Sequence, residues 1–356
     1  MRILVDIGHP AHVHFFKHFV REMEKKGHEF LITAKDKEVS LRLLDAYGLK
    51  YVRAGSYRGG LVRKGIDMLR IDWDTLRVAR RFRPDIVMSL GSPNAAHVSW
   101  LLRRPHVTFD DTENSREQYY LYAPFTKTVC TPSCFQRDLG TKQVRYAGYH
   151  ELAYLHPTRF VPDPSVLGEI GLTPDDRFII VRFVSWGASH DIGQHGVVDP
   201  RQLVMELEKY GRVLITSERK LSTDLERCRI TVAPEKLHDL LYYATLCIGE
   251  GATVASECAV LGTPAIYVNT LNTGYVKEQD EKYGLTHCFP DPRTGQAQAM
   301  RKAVELLQRP NLREEWRRKR DRLLADKIDV TKFVVDFIEN YPESFRNYRM
   351  ANTDRR

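Results

Sequence analysis

Cysteine is scarce: six thiols in 356 residues, with Cys130 and Cys134 the nearest pair and neither a second pair nor a histidine cluster to complete a metal site. That pattern excludes a fold stapled by disulfides or zinc, and it leads us to expect reduced, mostly buried thiols in a cytoplasmic protein. Long apolar runs are missing too. Nothing approaches the roughly 18–20 residues of a membrane span, and Met1-Arg2 leads straight into Ile3-Leu4-Val5-Asp6-Ile7, which reads as a first strand and not as a signal peptide. No short-period repeat or low-complexity tract is visible, which excludes a solenoid or a disordered chain. No recognisable nucleic-acid motif accompanies the positive charge, so nucleic acid is not an expected partner.

What is present describes a globular protein. Hydrophobic residues make up 42% and charged residues 28%, and the length suits two domains. The net charge of +8 sits in the first half. Residues 1–150 hold 25 Lys/Arg against 16 Asp/Glu, whereas the remainder holds 29 against 30. The excess concentrates in Arg53, Arg58, Arg63, Lys64, Arg70, Arg77, Arg80, Arg81 and Arg83. A solvated face explains such a cluster, and so does attraction to an anionic membrane surface or a lipid diphosphate.

The chain is organised around Leu246 to Asn269. The apolar run Thr245 to Ile248 reads as a buried strand. It breaks at Gly249-Glu250-Gly251, which is turn chemistry, and a helical pattern follows from Thr253 to Leu261, stopped by Gly262 and Pro264. A second buried strand spans Ala265 to Val268. Such a turn leaves the first amide groups of the helix pointing outward, and with the helix dipole they make an anion site. Gly251 and Ala252 have no bulk to keep a phosphate away. Glu257, one helical turn beyond Thr253, suits the two hydroxyls of a ribose, so the expected ligand is a nucleoside diphosphate. An ordinary βαβ crossover with a tight turn has the same local pattern.

Elsewhere strands and helices alternate. Strands are expected at 2–7, 30–33, 50–53, 85–90, 106–109 and 128–131. Helices are expected from the His9-Pro10-Ala11-His12-Val13-His14 loop to Lys26, over 37–47, over 66–82 after a basic glycine loop at 55–64, over 95–102 and over 119–123. A stretch rich in Pro, Gly and His, Gly148 to Pro174, reads as a linker. Alternation then restarts with strands at 178–184, 212–216 and 230–232, and with helices at 200–210, 235–244, 275–282, 296–307, 313–326 and 331–340. The expected fold class is α/β, with two Rossmann-like doubly wound domains facing across a cleft. Their bounds are 1–150, a linker at 151–176, 177–330, and a tail at 331–356 that is a candidate to return to the first domain.

With both halves placed, the chain resembles the GT-B superfamily. It is similar to the lipid-linked N-acetylglucosaminyltransferase of peptidoglycan synthesis and to the non-hydrolysing UDP-N-acetylglucosamine 2-epimerases, and looks closest to a mainly archaeal group without a settled activity. The carriers are GEGATVASECAVLGTPAIYVN at Gly249 to Asn269, LHDLLYYATLCI at Leu237 to Ile248, and HPAHVHFF at His9 to Phe16, where the transferase has glycines before its histidine. The resemblance implies that Gly251, Ala252 and Thr253 hold a diphosphate, that Glu257 binds ribose, and that the turn from Ala233 to Lys236 presents backbone to the base. It also implies that Gly187, Ala188 and Ser189 line the diphosphate from the other side, that His12 matches the transferase histidine, and that Asp110 falls near an acidic position after the fifth strand.

The implied function is metal-independent transfer of a sugar from a nucleotide diphosphate, UDP first, to a lipid-linked or glycan acceptor of the cell envelope. The UDP-sugar is then a donor substrate and no cofactor is needed. The expected location is the cytoplasm, with peripheral attachment to the inner face of the membrane as a candidate. The alternatives are a 2-epimerase acting on the nucleotide sugar alone and a non-catalytic partner subunit. Transfer needs a base at the acceptor hydroxyl and charge relief on the leaving diphosphate. His12 leads as base because its pKa lies near working pH, followed by Asp110 or Asp111. His9 and His14 are rivals, and Asp110, Asp111 and Glu113 are also suited to capping the next helix. Arg182, Arg219 and His190 are candidates for charge relief, although Arg182 on a buried strand is expected to pair with a carboxylate such as Glu250. Asp72-Trp73-Asp74 matches a metal-binding D-x-D by letters but falls in an amphipathic helix, where it reads as surface.

Overall fold

A computed structural model describes the chain except for residues 58–59, 185–195, 231, 272 and 354–356. It divides into two compact units, Met1–Tyr154 with Asp329–Arg356, and Leu155–Ile328.

The first unit opens with β1 (Arg2–Ile7), α1 (Pro10–Lys25), β2 (Glu29–Ala34), α2 (Glu38–Ala46), β3 (Val52–Arg53), α3 (Leu61–Phe82) and β4 (Ile86–Leu90). It continues with α4 (Pro93–Leu101), β5 (His106–Phe109), α5 (Arg116–Tyr122), β6 (Thr128–Pro132) and β7 (Gln143–Tyr146). All the pairings are parallel, in the order β3-β2-β1-β4-β5-β6-β7. β1 is buried from Ile3 to Ile7, and apolar there except for Asp6, because both of its faces are covered, as a parallel central strand requires. Phe15, Phe16, Phe19, Val20 and Met23 form the stripe that α1 buries.

The second unit holds α6 (Ser165–Glu169), β8 (Phe178–Phe183), α7 (Pro200–Leu207), β9 (Arg212–Ser217), α8 (Thr223–Glu226), α9 (Leu237–Tyr243), β10 (Leu246–Gly249) and α10 (Ala252–Leu261). β11 (Ala265–Tyr267), α11 (Gly274–Glu281), β12 (Thr286–Cys288), α12 (Gly295–Leu307) and α13 (Leu312–Asp326) complete it. Its sheet is parallel in the order β12-β11-β10-β8-β9. The chain then re-enters the first unit with α14 (Val330–Glu339) and α15 (Glu343–Thr353). α14 packs along α1, Thr331 Oγ1 donates to the Ala153 carbonyl at 2.7 Å, and the Arg145 amide donates to Tyr348 Oη at 2.7 Å.

Each sheet runs in two directions from one point. In the first unit strand order reverses between β1 and β4, and in the second between β8 and β10. Ligands of such sheets bind outside the carboxyl ends of the strands at that reversal. Each unit is thus a doubly wound, Rossmann-like sheet with its helices, as the alternation in the sequence predicts.

Several elements differ from their sequence reading. β7 and the edge strand β12 are too short to show a periodic signal. Of the strand expected at 230–232, Thr231 lies outside the described residues; among the described residues Ile230 and Val232 are in no strand, and the neighbouring Arg229 makes an isolated parallel bridge to Ile215. α3 starts at Leu61, so the basic loop is shorter than 55–64, and α15 follows a helix-stopping Pro342 that hides it. The stretch read as linker is ordered at its start: His150 to Leu155 are all at least nine-tenths buried, with a turn at His150–Ala153 packed on α1 and α14. Histidine and tyrosine here serve packing, which composition alone does not reveal.

Candidate functional site

In the second unit the reversal places the ends of β8 and β10 side by side. Gly249 ends β10, and a Cβ there would lie 2.5 Å from the Arg182 carbonyl oxygen, so only glycine lets the two strands close. Gly251 is different. Its φ of −96° suits any residue, and a Cβ would meet its nearest neighbour, Val184, at an ordinary 3.5 Å. The fold does not require a glycine at 251; its missing side chain leaves space over the start of α10. No side chain caps that helix, and Ala252, Thr253 and Val254 are half-buried at its first turn. The helix ends as its sequence dictates, with Gly262 at φ 80° and the Thr263 amide donating back to the Cys258 carbonyl at 2.9 Å.

Glu257 is 4% exposed, and its Oε1 lies 2.9 Å from Nε2 of buried His238 on α9. The carboxylate is thus held by a partner that the sequence reading did not name. Glu250 does not pair with Arg182, as had been expected. Arg182 pairs with Glu218. The Glu250 carboxylate instead accepts from the Val184 amide at 3.0 Å and the Val197 amide at 2.9 Å, which bracket the segment 185–195, and Arg219 Nη2 stands 3.5 Å from it. Arg219 lies with its guanidinium 4.7 Å from the Phe183 ring centre. Lys236 is an exposed side chain paired with Glu169. Gly187, Ala188, Ser189 and His190 lie outside the described residues.

In the first unit the reversal lies between the loops after β1 and β4. His9 caps α1, its Nδ1 accepting from the Ala11 amide at 3.3 Å, while Pro10 has no amide to offer and the His12 amide donates to the His9 carbonyl at 3.0 Å. This helix start has satisfied its own donors. His14 is 6% exposed and stacks on Tyr154 at 5.3 Å, a packing residue. His12 is half-buried, and its Nδ1 accepts from the Gly8 amide at 3.2 Å. Burial, with His9 and Lys35 close by, holds its pKa well below the usual histidine value. Lys35 Nζ stands over the Tyr57 ring at 4.9 Å and 3.5 Å from where a Gly8 Cβ would be. Burial lowers its pKa, and no carboxylate among the described residues pairs with it.

Beneath these groups lies a buried polar lattice. Asp6, at the end of β1, accepts from Thr33 Oγ1 at 2.8 Å and Ser92 Oγ at 2.5 Å. Asp72 is not surface, as its helix pattern suggested. It is buried, accepts from Asn94 Nδ2 at 2.7 Å and meets His97 Nδ1 at 2.8 Å. A polar turn of α3 faces inward because α4 brings its own polar side chains to meet it.

After β5, Asp110 accepts from Tyr122 Oη and from the Thr112 amide at 2.9 Å; burial pushes its pKa up to about 6. Asp111 accepts from Thr112 Oγ1 at 3.1 Å, and its Oδ2 stands 2.9 Å from His150 Nδ1. Asp110 and Asp111 therefore bind neighbouring side chains as well as the turn they open. His150 is the residue missed in the sequence reading.

The sequence from 1 to 278 matches the family described as "Protein of unknown function (DUF354)". The chain belongs to that family. A curated relative, an uncharacterised protein of Methanocaldococcus jannaschii, is 21% identical over 277 residues, covering 74% of this chain and 80% of its own length. Among solved structures, S. aureus MnaA with UDP matches with a TM-score of 0.67 at 9% identity, over 96% of this chain and 97% of that one. The UDP-GlcNAc 2-epimerase of Neisseria meningitidis bound to UDP-GlcNAc matches at 0.65 and 12%, over 95% and 99%. The glycosyltransferase SsfS6 of Streptomyces sp. SF2575, complexed with thymidine diphosphate, matches at 0.62 and 15%, again over 95% and 99%. These likenesses show a shared GT-B fold across nearly the whole chain.

Proposed function

We propose that this protein transfers a sugar from a nucleoside-diphosphate donor, UDP first among them, to an anionic lipid-linked or glycan acceptor, without a metal. The observation that carries the donor half is the uncapped start of α10. Three amides point from a helix N-terminus beside a glycine that the fold itself does not need. Glu257, set by His238, stands one turn along the same helix for the ribose hydroxyls. The amides and the helix dipole supply the charge relief that a departing diphosphate requires, which is the reason no metal is invoked. Two structural neighbours hold UDP and thymidine diphosphate, a chemistry that fits this helix start.

The acceptor half rests on the first unit. Lys35 is a cation without a carboxylate partner among the described residues, and it stands beside His12 at the strand reversal. His12 directs a donor nitrogen, Nε2–H, away from Gly8. Both suit an acceptor phosphate or carboxylate. The same unit carries an outer face fit for an anionic membrane. Ile66, Leu69 and Trp73 lie on one stripe of α3 and are more than 60% exposed. Trp100 and Leu101 on α4 and Tyr120 and Leu121 on α5 are also exposed, and α4 packs against both α3 and α5. Exposed Arg63, Lys64, Arg70, Arg77, Arg103 and Arg104 flank them. Apolar and aromatic side chains among exposed cations are the composition of an interfacial surface.

The test is incubation with a panel of UDP- and TDP-sugars, with and without a chelator. Release of nucleoside diphosphate that persists with the chelator is the expected result. Full loss on chelation would end the metal-free reading. Epimer accumulating without any release would replace transfer by epimerisation.

A further inference from the structure

His150 sits where the chain turns after β7. Gly148 makes the turn possible: a Cβ there would lie 2.5 Å from Val330 on α14. The turn presses the His150 ring edge-on against Phe15 at 4.9 Å, one helical turn from His12 on α1, and stacks it parallel to Tyr146 at 6.5 Å. Nδ1 faces Asp111, whose other oxygen is pinned by Thr112. The ring's remaining nitrogen, Nε2, is buried and has no hydrogen-bond partner among the described residues. A neutral ring tied this way carries its proton on Nδ1 and its lone pair on Nε2. His12 is built the opposite way. Its Nδ1 already accepts from the Gly8 amide, so its neutral ring carries the proton on Nε2 and has no lone pair to offer there.

On the glycosyl-transfer reading, we propose that His150, held by Asp111, takes the proton from the acceptor hydroxyl, and that His12 serves as a hydrogen-bond donor. The acceptor O–H bond breaks and its proton passes to His150 Nε2. The oxygen's electron pair forms the new bond to the anomeric carbon. The bond from that carbon to the diphosphate oxygen breaks, and its pair leaves with the nucleoside diphosphate. Asp111 is a positioning residue; it fixes the tautomer and offsets the imidazolium charge, the arrangement that lets a histidine act as general base. The buried Nε2 lone pair then gains a donor, which the described residues do not supply.

The titratable groups around this ring are Asp111 and Asp110 from the β5 loop, Glu151 beside it in sequence, His12 from α1 and Tyr146 from β7. From α14 the neighbours of the turn are uncharged Val330 and Thr331. Burial pushes the His150 ring down, Asp111 with Glu151 and Asp110 together more than offset it, and the net pKa lies above the ordinary histidine value.

Two measurements test the pair. Long-range proton–nitrogen spectra of the wild-type imidazoles should show His150 protonated on Nδ1 with a raised pKa, and His12 protonated on Nε2. His150 carrying its neutral proton on Nε2 overturns the proposal without any variant. In UDP-sugar turnover, His150→Gln should lower kcat by about 100-fold or more, leave KM for the donor within about twofold, and remove the rise of kcat with pH. Asp111→Asn should move that rise to lower pH, and His12→Gln should keep it. His150→Gln with the wild-type kcat and pH profile, in protein that UDP still protects from thermal unfolding, overturns the pair alone. Wild-type protein that neither binds UDP nor releases it from a sugar brings down the transfer reading and the pair with it.

Discussion

At the residue scale, the decisive groups are carboxylates whose partners are fixed by the fold. The place of Glu257, one turn beyond Thr253 on the same helix, was legible in the sequence, and the ribose role is what the proposed function gives it. Its support was not legible, because His238 comes from another element and only packing brings them to 2.9 Å. Glu257→Ala should weaken UDP binding about 10- to 100-fold in calorimetric titration, the loss expected for hydrogen bonds to a charged group. His238→Ala should weaken it less; unchanged affinity in both would remove the ribose assignment. The Asp111–His150 pair also makes a stability prediction. Asp111 is half-buried and desolvation opposes its charge, yet His150 holds its pKa below the usual carboxylate range, so its contribution is present above about pH 4 and lost as pH falls. The raised pKa of His150 makes its contribution present below about pH 6.5 and lost as pH rises through the folded value. The melting-temperature gap between wild type and Asp111→Asn should therefore be widest between about pH 4 and 6.5 and narrow by pH 8–9. A gap independent of pH would mean that the pair is not ionic.

At the element scale, the strand–turn–helix unit of β10 and α10 was fully readable, down to its Gly262 stop, because glycine and proline punctuate it. The reading of Glu250 as Arg182's partner failed for a physical reason. A carboxylate in a tight turn is claimed by the nearest backbone amides, and here those are the two that bracket residues 185–195. Glu250→Ala would leave the buried Val197 amide and the half-buried Val184 amide without this partner. Each such group costs about 1–3 kcal/mol, so the melting temperature should fall by roughly 5–10 °C, and Glu250→Gln should restore part of it. A shift under about 1 °C would contradict the anchoring role. α3 teaches the converse lesson. Its basic side chains were visible in composition and Asp72-Trp73-Asp74 was read as surface; the structure keeps Trp73 outward with Ile66 and Leu69 but turns Asp72 in, where α4 meets it with Asn94 and His97. Wild-type protein should sediment with phosphatidylglycerol vesicles and not with phosphatidylcholine vesicles, less so at high salt. The double variant Leu69→Glu, Trp73→Glu should lose at least about tenfold in binding. Equal binding by that variant would dismiss the face.

At the scale of the whole molecule, the α/β class and the doubly wound sheets follow from alternating buried strands and amphipathic helices, and no tertiary knowledge is needed to see them. The edge strands β7 and β12 and the ordered turn at 150–154 escaped because short segments carry no period and because histidine, glycine and proline look alike in a linker and in a packed turn. The residue that the further inference rests on, His150, lay in that blind spot. The proposed function assigns diphosphate binding to the start of α10 and proton handling to the first unit, and it stands on the former. The most direct measurement is a backbone amide spectrum of the protein titrated with UDP. The account predicts that the largest shifts fall on Gly251, Ala252, Thr253 and Val254 and saturate with added UDP. Shifts confined to other segments, or none at millimolar UDP, would contradict it.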